Sequence, residues 1–180
     1  MYIVDIDDFH QTNTGWQYLE QIKKAIPGFK ANLFTVVGRC THEFIKEMQQ
    51  VGWIDMIPHG WLHETPRECA NWNYGDCMEY LRKCAALDLT KGFKAPGWQI
   101  PDVMYHAAHE MGYWIADQPY NHHRRPSFNR VYLLDNPMKL HFHIQNVCGN
   151  GLQESMDKLL ALPKDADFSF IKDSFNAQRL

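Results

Sequence analysis

The 180-residue sequence has no apolar run approaching membrane-spanning length, so no segment reads as a transmembrane helix. It has no CxxC pair, and its five cysteines, Cys40, Cys69, Cys77, Cys84 and Cys148, are odd in number. A disulfide framework is therefore not expected, and free thiols in a reducing compartment are the simpler reading. Cys77 and Cys84 share the face of an expected helix but lie about two turns apart, too far to bridge. There is no basic stripe, and a formal charge of −3 gives no electrostatic reason for a nucleic-acid partner. The first residues lack a basic stretch leading into an apolar one. With reduced thiols, this gives the expectation of a cytoplasmic protein that engages no membrane. There is also no Pro/Gly-rich linker and no internal repeat, so the length fits a single domain spanning residues 1–180.

What is present is a globular composition. The chain is 45% hydrophobic and 13% aromatic, enough to bury a core without staples. Strand-like and helix-like stretches alternate from end to end. Tyr2–Ile6, Ala31–Val37, Trp53–Pro58, Gly92–Ala95, Tyr113–Ala116, Val131–Leu134 and Lys139–Ile144 read as strands. Trp16–Ile26, His42–Val51, Asp76–Leu87, Pro101–Met111 and Leu152–Ala161 read as helices. Asn13-Thr14 is the expected cap of the first helix and Thr41 that of the second. Phe168–Ile171 is an expected closing strand, and Gln118–Asn129 an expected polar loop. Such alternation predicts a parallel sheet flanked by helices, in the α/β class. Candidate site residues fall at the C-terminal ends of several strands, and a (β/α) barrel explains that convergence better than an open sheet.

His59 and His63 are the most informative pair. Two imidazoles four positions apart can grip one divalent cation from one side if the chain turns helically between them. Asp7 and Asp8 follow an apolar stretch, where a buried acid pair needs a metal, a cation or a proton to compensate it. Two histidines and a carboxylate, with a second carboxylate alongside, suit a catalytic metal site. Lys94 ends a strand, and its ammonium can keep a carboxylate ionised. Pro96-Gly97 fixes a turn whose N–H can face a developing oxyanion. Trp61 and Trp98 are candidate walls for a sugar ring. His143 ends the Lys139–Ile144 strand and can protonate a leaving amine, whereas His141 reads as deeper, as a satisfied core histidine. Asp117 reads either as an acid orienting Lys94 or His143 or as a strand-end cap. His122-His123-Arg124-Arg125 reads as a solvated loop patch.

These residues resemble the polysaccharide deacetylase family, the carbohydrate esterases with a chitooligosaccharide deacetylase homology domain. The resemblance covers about Tyr2 to Leu160. Asp5-Ile6-Asp7-Asp8-Phe9 stands where the family has Thr-Phe-Asp-Asp-Gly. His59-Gly60-Trp61-Leu62-His63 matches its His-Ser/Thr-x-x-His motif, and Lys94-Ala95-Pro96-Gly97 resembles its Arg-x-Pro-aromatic motif. The segment Leu140–His143 resembles its Leu-x-His motif, and Trp114 with Asp117 falls where the fourth motif should lie. The resemblance implies an irregular, seven-stranded, TIM-like (β/α) barrel and a divalent metal, zinc before others, on Asp8, His59 and His63. It implies Asp7 as the catalytic base steadied by Lys94, the Gly97 N–H as oxyanion donor, and a late histidine as the acid. Lys94 in place of arginine cannot make a two-pronged bond to a carboxylate. The expected activity is removal of an N- or O-linked acetyl group from a carbohydrate. A metal-dependent amide hydrolase with another substrate and a degenerate glycan-binding barrel are the alternatives. So short a chain has few residues for substrate-gripping loops, so the cleft is expected to be open or completed by a second copy, making a homo-oligomer.

Overall fold

The computed structural model of the chain describes residues 1–117, 130–132, 138–145 and 152–173. The expected loop at residues 118–129, with its His122–Arg125 patch, and Cys148 lie outside the described residues. The elements run β1 (Ile3–Phe9), α1 (Trp16–Ala25), β2 (Ala31–Thr35), α2 (His42–Gln49), β3 (Ile54–Pro58), α3 (Tyr74–Ala86), β4 (Gly92–Lys94), α4 (Asp102–Met111), β5 (Trp114–Asp117), β6 (Arg130–Tyr132), β7 (Lys139–His143) and α5 (Leu152–Leu160).

Every described strand pair is parallel. The strands form a four-stranded sheet ordered β3-β2-β1-β7 and a three-stranded sheet ordered β4-β5-β6. The parallel α/β class expected from the alternation is therefore present. The expected barrel is not closed among the described residues. The two sheets meet where β3 runs past β4. There the Thr90 N–H donates to the Met56 carbonyl at 3.1 Å, and Nδ1 of His59 donates to the Lys94 carbonyl at 2.9 Å. The expected Phe168–Ile171 strand is reduced to one parallel bridge between Tyr2 and Phe168.

All seven residues of β1 are buried, as a central parallel strand covered on both faces requires. Its alternation sorts them. Val4 and Ile6 pack outward into the main core with Leu19 and Ile22 of α1. Ile3 points inward into a second cluster with Phe34, Ile57, Trp114, Ala116 and Ile171. Asp5 and Asp7 share the parity of Ile3, so the same inner face carries apolar residues at one end and acids toward the other. Ile171 closes the apolar end, where its N–H donates to Asn32 Oδ1 at 2.9 Å.

Local chemistry sets the helix ends. Thr41 accepts from the Phe44 N–H and caps α2 as expected. The α1 cap expected at Asn13-Thr14 is instead Gly15, which uses no side-chain bond. Asn13 is taken by the His10 N–H, and a Cβ on Gly15 would lie 2.2 Å from the Ile144 carbonyl oxygen. Helix α3 begins two residues before the expected Asp76, because Asn73 and Asp76 form a reciprocal capping box. Burial pushes the Cys84 thiol up to about 12 and the Cys77 and Cys40 thiols up to about 11, so none of the three is a ready nucleophile. No helix among the described residues is long and apolar enough to cross a membrane.

Replacing Asn73 with alanine removes one half of the capping box. A loss of about 1 kcal/mol is expected in urea unfolding, with the site chemistry unchanged.

Candidate metal centre

Three side chains converge at the C-terminal ends of β1 and β3. Oδ1 of Asp8 lies 3.1 Å from Nε2 of His63 and 3.6 Å from Nε2 of His59. The three prospective ligand atoms all lie within 4.8 Å of one another.

The backbone that aims them is irregular. Between β1 and β2 the register runs from Ile6 opposite Leu33 to Phe9 opposite Thr35, so β1 carries one extra residue. That bulge contains Asp8, whose φ is 65°. It breaks the alternation, so both Asp7 and Asp8 come within 4 Å of Nε2 of His59. The strand continues through Phe9 beyond the bulge.

The helical turn that would let His59 and His63 grip a cation from one side is absent. Gly60 has φ 73° and His63 has φ 50°. The loop is gathered by Glu68, a residue the sequence reading missed. Its carboxylate accepts from the backbone N–H groups of Leu62 and His63 at 2.8 Å and of Trp61 at 3.1 Å. The Gly38 N–H adds a bond to the Trp61 carbonyl at 2.7 Å. A left-handed backbone at a non-glycine residue persists only where its surroundings over-determine it. Here Asp8 and His63, two of the three convergent side chains, both adopt it.

The residues fit a divalent cation. Nδ1 of His59 donates to the Lys94 carbonyl, which fixes the tautomer and leaves a lone pair on Nε2. Oδ1 of Asp8 is buried without a hydrogen-bond partner among the described residues, a condition a cation relieves. Burial alone would raise the Asp8 carboxyl, but His59 and His63 outweigh it and hold the group far below the usual carboxylate range. Two imidazoles and one carboxylate suit a transition-metal cation rather than magnesium or calcium.

Beside this cradle lies a buried charge cluster. Lys94 is fully buried, and its Nζ donates to Asp7 Oδ1 at 2.7 Å and to Asp5 Oδ2 at 2.9 Å. Asp5 was not singled out from the sequence. Burial would lower the Lys94 ammonium, but Asp5 and Asp7 reverse that and raise it. Burial would raise the Asp5 carboxyl, but Lys94 and then His141 hold it down at about 2. Nδ1 of His141 donates to Asp5 Oδ2 at 3.0 Å, and its Nε2 lies 3.9 Å from Asp7 Oδ2. Burial lowers His141, yet Asp5 overrides this and raises it, whereas burial leaves His143 lowered. In register His141 faces Asp5 and His143 faces Asp7.

The remaining candidates separate. The Trp98 ring sits 4.3 Å from Lys94 Nζ and covers the charge cluster. Gly97 is exposed in the Pro96–Trp98 turn, at φ 55°. Trp61 lines a different cleft of about 410 Å³ with Trp72, Tyr80 and Lys83. A smaller cavity of about 170 Å³ contains Asp8, His63, His10 and Arg39. Trp114, read as part of the fourth motif, is buried at the apolar end of the inner face against Gly92, where a Cβ would lie 2.2 Å from the indole. Asp117 has the opposite parity on β5 and accepts from the Tyr105 hydroxyl of α4, while Asp5 and Asp7 take the Lys94 ammonium.

Substituting Lys94 with methionine leaves two buried carboxylates without their cation, and a loss of about 3–5 kcal/mol in urea unfolding is expected. The depressed Asp5 carboxyl stabilises the fold fully above its ordinary value of 3.8, and this contribution fades as pH falls through about 2. Acid unfolding of the wild type should therefore show a component of about 2 kcal/mol that Asp5→Asn lacks. Glu68→Ala should weaken divalent-metal affinity by roughly 10–100-fold in calorimetry, because it releases the loop that carries His63.

No protein-family profile and no curated protein matches the sequence. Solved structures do match in fold. The Bc1960 peptidoglycan N-acetylglucosamine deacetylase aligns with a TM-score of 0.66 at 17% identity, over 97% of this chain and 87% of that one. A family 4 acetyl xylan esterase from Clostridium thermocellum, in complex with cobalt, aligns with a TM-score of 0.66 at 13% identity, over 99% and 91%. BA3943 from Bacillus anthracis, a pseudoenzyme of carbohydrate esterase family 4, aligns with a TM-score of 0.63 at 14% identity, over 97% and 65%. The chain thus has the polysaccharide deacetylase-type fold found in family 4 carbohydrate esterases.

Proposed function

We propose that the chain is a divalent-metal-dependent hydrolase that removes an N- or O-linked acetyl group from a carbohydrate. The observation that carries this reading is the convergence of Asp8, His59 and His63 beside an Asp7 held by Lys94. A cation on those three side chains, zinc by donor chemistry, would polarise the acyl carbonyl and acidify a water.

The chain's own groups supply the proton handling. Asp7 has Oδ1 engaged by Lys94, so Oδ2 is the oxygen that accepts the proton of the attacking water. Oδ2 lies 3.9 Å from Nε2 of both His59 and His141, between the metal cradle and the acid side. Water adds to the acyl carbon as Asp7 takes its proton. The bond to nitrogen or oxygen then breaks as a histidine protonates the leaving atom, giving acetate and a free amine or hydroxyl. His141 is favoured over the expected His143, because the buried Asp5 carboxylate pairs with its protonated ring. Gly97 N–H is assigned to the oxyanion, and Trp98 to the wall beside the scissile group. The pseudoenzyme among the fold neighbours keeps a glycan-binding role as the second reading, and the lysine in place of arginine favours it.

Acetate release from acetylated chitooligosaccharides, compared with simple amides, tests the proposal. Asp7→Asn should lower kcat by roughly 10²–10⁴-fold and leave the cation on Asp8, His59 and His63 in place. His63→Ala should lose the tightly held cation and activity together. Glycan binding with no acetate released by the metal-replete wild type would overturn the hydrolase reading in favour of the binding one.

A further inference from the structure

A second triad with metal-ligand character lies next to the first. Asp7, His141 and His143 each offer one donor atom, and these atoms lie within 4.8 Å of one another. We infer that this triad is a second divalent-cation site, weaker than the first, whose occupation shuts the enzyme down. The inhibitory half of this inference rests on the hydrolase reading above.

Four observations support it. Asp7 has one oxygen to give, since Lys94 occupies Oδ1 and leaves Oδ2. That Oδ2 stands 3.9 Å from Nε2 of His59 and 3.9 Å from Nε2 of His141, so it lies between the two triads. A carboxylate between two cations about 3.5–4 Å apart is the usual arrangement of two-metal sites. His141 is prepared as a ligand, because Nδ1 donates to Asp5 and leaves Nε2 facing Asp7, the carboxylate–histidine arrangement that orients metal-binding imidazoles. Finally, His143 has a buried Nδ1 with no hydrogen-bond partner among the described residues, and its ring lies 5.1 Å from that of His141. Both histidines are only partly buried, so a cation can reach them.

Charge sets the order of filling. With neutral imidazoles, the carboxylates of Asp5, Asp7 and Asp8 against the Lys94 ammonium leave two negative charges in the pocket. A first divalent cation cancels them, and a second enters a neutral site beside Lys94. The second therefore binds more weakly than the first. When bound, it takes the lone pair on Asp7 that accepts the proton and the imidazole that returns one.

The test is a zinc titration of the metal-stripped protein. Bound metal is counted by elemental analysis after equilibrium dialysis, cobalt(II) absorption serves as a second count, and acetate release is followed in parallel. The expected result is two equivalents in the wild type, with activity rising over the first and falling over the second. His143→Ala and His141→Ala should each retain a single tight equivalent, and His63→Ala should retain only the weak one. The site is overturned if saturating zinc gives one equivalent, or if a second equivalent survives both His141→Ala and His143→Ala in variants whose circular dichroism shows them folded. Two equivalents with no hydrolysis at any zinc level would keep the second site and sink the hydrolase reading. One equivalent with zinc-dependent hydrolysis would do the reverse.

Discussion

The site depends on one residue used twice. The Lys94 ammonium bridges Asp5 and Asp7, and the Lys94 carbonyl accepts the Nδ1 proton of His59. Side chain and main chain of a single β4 residue thus fix both the carboxylate proposed as base and an imidazole of the metal cradle. In a buried, low-dielectric setting an ammonium between two carboxylates is favourable only because its partners are in place. The cluster therefore behaves as a unit. A shift of β4 relative to β1 disturbs the base, the cradle and, through Asp5, the ring of His141.

The second constraint is backbone strain. Asp8 and His63 hold left-handed dihedrals that non-glycine residues avoid, and each is fixed by its surroundings. For Asp8 the fixing element is a bulge in β1, one of the two central strands of the four-stranded sheet, with Phe9 paired again to Thr35 beyond it. For His63 it is the Glu68 carboxylate, which collects three successive N–H groups. The backbone itself thus sets how the three side chains converge.

The parts of this arrangement legible in the sequence were those written in local spacing. His59 and His63 stood four apart, and Asp7 and Asp8 were adjacent after an apolar run. Both patterns survive folding because they lie within single segments. Parallel α/β alternation was legible for the same reason. Asp5 was not, because its meaning comes from Lys94, 89 residues away, and from His141, 136 residues away. Glu68 was hidden because it acts on backbone N–H groups, which no side-chain motif records. Trp114 and Asp117 were read from the place of the fourth motif, and Asp117 also from its position at a strand end, when parity along β5 decides their direction. A signal was available for Trp114, since Gly92 opposite it leaves room for an indole on the inner face.

The Ile171 contact has a consequence for how the charge cluster is insulated. Its N–H is tied to Asn32, whose own Nδ2 donates to the Val4 carbonyl, so the late chain segment is latched to the two central strands. Ile171 then acts as a stopper on the inner face, in the apolar cluster that contains Ile3, two residues before Asp5. If the stopper were withdrawn, water would enter from beneath and weaken the field that joins Lys94 to its acids. Solvent exclusion at the working end of this protein is thus partly maintained from the opposite end of the fold.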